Sequence, residues 1–252
     1  MKEFFTIPDP DVTSESSVDP MGIQVIWTHY GQEIFHEKLT TIANDLRVFT
    51  FNLFHNHLIN SLYKNYPEQI QEAKNRYKAW ATDADVKTGL LMFLEDVVTW
   101  TFYLHSEAAE QKVDAIGILG LTKARVKHNS YPEDQIFLEA YKRAGLLKNQ
   151  INLGMTGRYK GPMINMEFID RSFCYYPKTW EHVERFMTKW SQAMGLELKL
   201  SELIIDKLLK SNYKDYPRFT LAEVKRSKLY KEICTGDLNC FGSSKVPKAV
   251  RE

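Results

Sequence analysis

The sequence predicts a mainly helical chain with a single β-hairpin near its middle. Three observations carry that expectation: long segments whose apolar residues recur at helical spacing, proline and glycine falling between those segments, and one short stretch that reads as paired strands around a basic tip. Apolar residues make up 44% of the 252 positions and charged residues 26%, values of an ordinary globular chain with material for a sizeable core.

Residues 1–20 combine three prolines, several serines and the acids Glu3, Asp9, Asp11, Glu15 and Asp19 against Lys2 alone, and read as an acidic extended arm. Met21 to Phe35 is apolar with neither period dominant. From Thr41 the stripe Ile42, Leu46, Phe49, Leu53, with Phe51, Phe54, Leu58 and Leu62 beside it, predicts a long helix ending near Tyr66-Pro67. A second helix starts at Pro67, where proline suits a first turn, and runs to Trp80. Asp85 to Glu107 is the most apolar helix and is expected at the centre of the N-terminal core, with Thr88, Glu95, Thr99 and Ser106 as a narrow solvent-facing strip. These helices form an N-terminal helical bundle over residues 21–112.

After Gly117 and Gly120 the composition changes, and residues 113–172 read as a separate unit. A helix over Ala115–His128 is broken by Asn129-Ser-Tyr-Pro132, since proline biases its predecessor away from helical angles. A second helix runs from Glu133 to about Leu147, with Ile136, Phe137, Ala140, Tyr141 and Ala144 at helical spacing and Gly145 as its left-handed cap. Ile151 to Thr156 and Pro162 to Ile169 are strand-compatible, with Gly157-Arg-Tyr-Lys-Gly161 between them as a turn.

The order helix, turn, helix, hairpin resembles the winged-helix family over about sixty residues. That resemblance implies a second helix entering the DNA major groove and a wing whose Arg158 and Lys160 reach phosphate or the minor groove, with Tyr159 stacking on a base or packing on sugar. The local charge agrees: Lys123, Arg125, Lys127, Lys142, Arg143, Lys148, Arg158 and Lys160 face only Glu133, Asp134 and Glu139 between Leu121 and Lys160. The second helix offers few polar base-readers beyond Gln135, Glu139 and Lys142, so sequence-specific readout is not expected.

Helices over Thr179–Met194, Ser201–Lys210 and Thr220–Ile233 make up the C-terminal part, residues 173–236, the last opened by the capping box Thr220-Leu-Ala-Glu223. A flexible tail, 237–252, follows. From Lys207 onward basic residues number eleven against five acids, although the whole chain carries only +1.

Three cysteines, Cys174, Cys234 and Cys240, are too few for a disulfide framework or a four-cysteine zinc site and fit a reducing compartment. With no signal-peptide pattern and no run of eighteen uncharged apolar residues, a soluble cytoplasmic protein without membrane contact is expected. Phosphate-binding glycine loops, dinucleotide turns, His-Glu-x-x-His and nucleophile elbows do not occur, and no cofactor is implied. His55 and His57, two apart on a helix, point about 200° from each other and cannot chelate one ion; they are expected at the edges of a broad buried face. Glu95-Asp96, inside an apolar helix, would also suit a pair of carboxylates with raised pKa values for acid–base work.

The leading functional reading is a non-catalytic, nucleic-acid-associated subunit of a larger intracellular assembly, contacting DNA or RNA through Lys123, Arg125, Lys127, Lys142, Arg143, Lys148, Arg158, Tyr159 and Lys160. An assembly subunit that binds only protein, through the aromatic-rich N-terminal region and the acidic arm, is the first alternative. A metal-dependent nuclease is the second: Asp170 with Glu197-Leu-Lys199 on a short strand resembles the restriction-endonuclease set, in which two carboxylates hold a divalent ion and a lysine steadies the attacking water.

Overall fold

The structure, a computed structural model, describes residues 29–30, 46–108, 118–171 and 174–228. The acidic arm, the 23–35 stretch apart from His29 and Tyr30, the C-terminal tail, Cys234 and Cys240 lie outside the described residues. Helix accounts for 67% of what is described, with one two-stranded antiparallel sheet, so the chain is mainly helical.

Helices α1 (Leu46–Asn65), α2 (Pro67–Arg76) and α3 (Asp83–Ala108) lie where helices were predicted, although α2 ends four residues short of Trp80 and the predicted start at Thr41 lies outside the described residues. α3 is apolar on every side, and Leu90 to Leu104 is continuously buried. A helix with that pattern must be surrounded. Around it pack α1, α4 (Leu121–Ser130), strand β1 (Phe137–Glu139), the short α5 (Gln150–Leu153) and α9 (Leu221–Ser227). α1 in turn meets α6 (Met155–Asn165), α7 (Pro177–Met194) and α8 (Leu196–Leu203). α8 continues through a wider π turn at Ile204–Leu208. Strand β2 (Arg218–Thr220) completes the described elements.

The middle of the chain departs from expectation. Glu133 to Leu147 is not a helix: Ile136, Leu138 and Ala140 alternate inward, and β1 pairs antiparallel with β2 in the register Leu138 opposite Phe219. The apolar residues here satisfy a period of two as well as one of 3.6, and a partner eighty residues away decides between them. Two further contacts hold this stretch extended. The Trp80 indole N–H donates to the Ala140 carbonyl at 2.8 Å, and Ala140 N–H donates to Pro217 O at 2.9 Å. Gly89 on α3 permits that approach, because a Cβ there would lie 2.6 Å from the Ala140 oxygen.

The predicted wing is likewise absent from its place. Ile151 to Leu153 and Met155 to Asn165 are helical, so Ile151–Thr156 and Pro162–Ile169 do not pair as a hairpin, and the helix, turn, helix, hairpin order is not found over the described residues of 113–172. The physical reason lies in α3. Gly154 occupies the N-cap of α6 and has no side chain to satisfy the first-turn donors. Glu95 does so from α3, accepting from Thr156 N–H at 2.8 Å and from the Thr156 hydroxyl at 2.7 Å. A buried carboxylate at a helix N-terminus meets both the free N–H groups and the positive end of the helix dipole.

The expected solvent-facing strip of Thr88, Glu95, Thr99 and Ser106 is therefore not one: Glu95 and Thr99 are 2% and 3% exposed, and the neighbouring Asp96 is 4% exposed. Asp96 accepts from the Gln150 amide at 2.9 Å and from Leu146 N–H at 3.2 Å. Burial pushes its carboxyl up to about 6, against the pull of those two hydrogen bonds. Thr99 in the same row donates to Leu119 O at 2.8 Å. This row faces the 118–156 stretch and holds it.

Candidate functional site

The basic residues selected from the sequence divide into two groups. Lys123 and Arg125 on α4, and Arg143 and Lys148 in the turns after β1, are exposed. None of the four has a carboxylate partner among the described residues. Their two stretches are neighbours. Gly120, which precedes α4 at a φ of +89°, packs against Leu146, and Asp96 binds Leu146 N–H while feeling the charge of half-buried Lys127.

Two of the three acids between Leu121 and Lys160 are engaged. Glu133 accepts from Lys225 at 2.6 Å and lies 3.2 Å from His128, and Glu139 accepts from the Tyr216 hydroxyl at 3.3 Å. Asp134 is exposed.

Lys142, Arg158, Tyr159 and Lys160 do not act as an exposed set. Lys142 is ion-paired to Asp85 at 3.3 Å. Arg158 is half-buried and donates from Nε to Leu153 O at 3.2 Å, and Lys160 is half-buried. Tyr159 is 6% exposed, within the core, and cannot stack on a base. α6 turns its aromatic side inward because Tyr159 and Met163, four apart, share one face and meet the core together.

The nuclease set also takes other roles. Leu196 to Leu203 is α8 rather than a strand, so Glu197 and Lys199 diverge around the helix. Glu197 receives the Ser61 hydroxyl at 2.7 Å and lies 3.3 Å from His57 Nε2, tying α8 to α1. Asp170 accepts from Cys174 N–H at 2.9 Å and shapes the turn between Ile169 and Tyr175. Among the described residues no group of three or more His, Cys, Asp or Glu side chains could hold a metal ion. No helix among them is long and apolar enough to cross a membrane.

A second feature has no counterpart in the sequence reading. Between α1, α3, α5 and the start of α7 lies a pocket of about 250 Å³. Asn56 and Asn60, one turn apart on α1, form one wall, and Ala84, Lys87, Thr88 and Leu91 on α3 form the next. Ile151 and Thr156 close the floor, and Tyr175 and Trp180, with ring centroids 4.9 Å apart, stand opposite. Tyr175 is brought there by its antiparallel bridge to Ile169 and Trp180 by the first turn of α7, where Trp180 also stacks on His57.

The chain matches no known protein family, no curated protein and no solved structure. The basic face and the pocket must be read from their own chemistry. The face was legible as an excess of lysine and arginine in one stretch. The pocket was not, because its lining comes from five separated parts of the chain, and the only local signal was the recurrence of small or polar residues at Asn56 and Asn60 and at Ala84 and Thr88.

Proposed function

We propose that this protein associates with nucleic acid through the basic face built by α4 and the turns over 141–149, contacting phosphate rather than reading bases. The observation that supports this is the imbalance on that face: Lys123, Arg125, Arg143 and Lys148 are exposed without a carboxylate partner among the described residues, whereas Glu133 is held between Lys225 and His128. α4 itself carries basic residues and no acid. Lys123 and Arg125 flank the buried Ala124 on α4, and cations gathered in one region attract a polyanion and release its counterions, which gives an affinity that depends steeply on salt and little on sequence.

The test is a quadruple charge reversal, Lys123→Glu, Arg125→Glu, Arg143→Glu and Lys148→Glu, assayed by DNA and RNA binding across a salt series. The reading requires weaker binding and a shallower dependence of log K on log salt, by about 0.9 for each lost phosphate contact to duplex DNA. Unchanged affinity and slope would reject it. A protein partner on the same helix is the second reading, favoured by Val126 and Tyr131, which are 58% and 55% exposed. It calls for loss of a stoichiometric partner on Val126→Asp, with little effect of salt.

A further inference from the structure

The pocket between α1, α3 and α7 stands apart from the basic face, and its lining has a consistent chemistry. Its floor and one side are apolar, from Ile59, Leu91, Met92 and Ile151, and the rings of Tyr175 and Trp180, tilted 45° to each other, make an aromatic wall. Among the described residues no aspartate or glutamate lines it, and Lys87 is the one charged side chain that does.

Lys87 is exposed and its ammonium lies 5.5 Å from the Tyr63 ring centre. Asp83 is ion-paired to Lys74 at 2.8 Å and also feels the charge of Lys87. Beside it, the Thr88 hydroxyl and the Asn60 amide make no hydrogen bond among the described residues. Asn56, also on this wall, uses its amide N–H on Asn52. An apolar slot with a few convergent polar groups at one end is the usual form of a small-molecule site. At about 250 Å³ it falls below the range of roughly 300–1,000 Å³ that holds drug-sized ligands, which limits the occupant to about one ring system.

We infer that this pocket binds a small aromatic carboxylate, its ring between the Trp180–Tyr175 wall and the Leu91–Ile151 floor, its carboxylate at Lys87, Thr88 and Asn60. A carboxylate accepts from all three donors at once and neutralises the lone cation. A cationic head would meet Lys87 with no acid among the described lining residues to offset it. The inference uses no part of the nucleic-acid reading, and either can fail alone.

The probes are benzoate and benzamide, which share shape and differ in charge, titrated calorimetrically into the full chain. Benzoate is expected to bind about tenfold more tightly, the worth of one charge-assisted hydrogen bond. In Lys87→Met its affinity should fall to that of benzamide. Because Lys87 is exposed, the melting temperature of that variant should not change. Lys87→Arg should recover part of the benzoate preference. Failure of benzoate to bind, equal affinity for the two probes, or benzoate binding undiminished in Lys87→Met would each overturn the assignment.

Discussion

His55 sits on α1 with 1% exposure, surrounded by Phe51, Phe54, Leu94, Val97, Leu196 and Leu200. Neither ring nitrogen has a hydrogen-bond partner among the described residues. Burial lowers its pKa from 6.5 to about 3, so the folded protein keeps it neutral while the unfolded chain takes up a proton below 6.5. Its stabilising effect is complete above pH 6.5 and is lost as the pH falls toward 3. Asp96 works in the opposite sense. Its folded pKa of about 6 lies above the unfolded 3.8, so the native state binds the extra proton and stability rises as the pH falls from 6 to 3.8. Over that window the two contributions oppose each other. Urea unfolding between pH 4 and 6.5 should therefore tilt in opposite directions in two variants. Relative to wild type, Asp96→Asn loses stability toward acid and His55→Leu gains it, each with a slope of at most about 1.4 kcal/mol per pH unit. Parallel curves for the two variants would refute both assignments.

At the scale of elements, how much could be read depended on the distance between a group and its partner. The box at the start of α9 was visible in the sequence and forms as read: Glu223 N–H donates to the Thr220 hydroxyl oxygen at 3.3 Å, and Thr220 N–H donates to Glu223 Oε2 at 2.9 Å. Both partners lie within four residues. The cap of α6 was invisible because its acceptor, Glu95, is sixty-one residues away. The glycines of α6 show the consequence. A Cβ at Gly154 would collide with the Glu95 carboxylate and the Gln150 carbonyl, whereas one at Gly161 would meet nothing within 4 Å. Gly154→Ala should cost about 1–3 kcal/mol through overpacking. Gly161→Ala should add about 0.5–1 kcal/mol by reducing the entropy of the unfolded chain. Chemical denaturation of the two single variants checks the contrast, and equal effects would contradict the Glu95 cap.

At the scale of the molecule, the described residues share one hydrophobic core, which runs from Phe51 on α1 through α3 and β1 to Val224 on α9. Segments read from the sequence as an N-terminal bundle, a middle unit and a C-terminal part all contribute to it. Phe219, Leu221 and Val224 are among its most buried members, although they lie near the end of the described chain. Ending the chain after Tyr216 removes all three and leaves β1 without its partner. At roughly 1.5–3 kcal/mol for each buried side chain, the loss exceeds about 4 kcal/mol, against a total of about 5–15 for a typical domain. A truncated chain should lose its cooperative thermal transition. A sharp melt within a few degrees of the full chain would show that β2 and α9 are dispensable.

The sequence by itself determined the helices of the N-terminal half, the boundary at Pro67, the break before Pro132 and the local cap at Thr220, because each depends on residues within a turn or two of one another. It also determined where lysine and arginine gather, since charge is additive along the chain. Tertiary structure decided the middle. Whether Ile136 to Ala140 became strand or helix depended on Phe219, and whether Ile151 to Asn165 became hairpin or helix depended on Glu95. Burial in the core removed Tyr159 from the surface, and Asp85 took Lys142. The pocket at Lys87 arises only where α1, α3 and α7 meet, and no single stretch of chain contains enough of its wall to announce it.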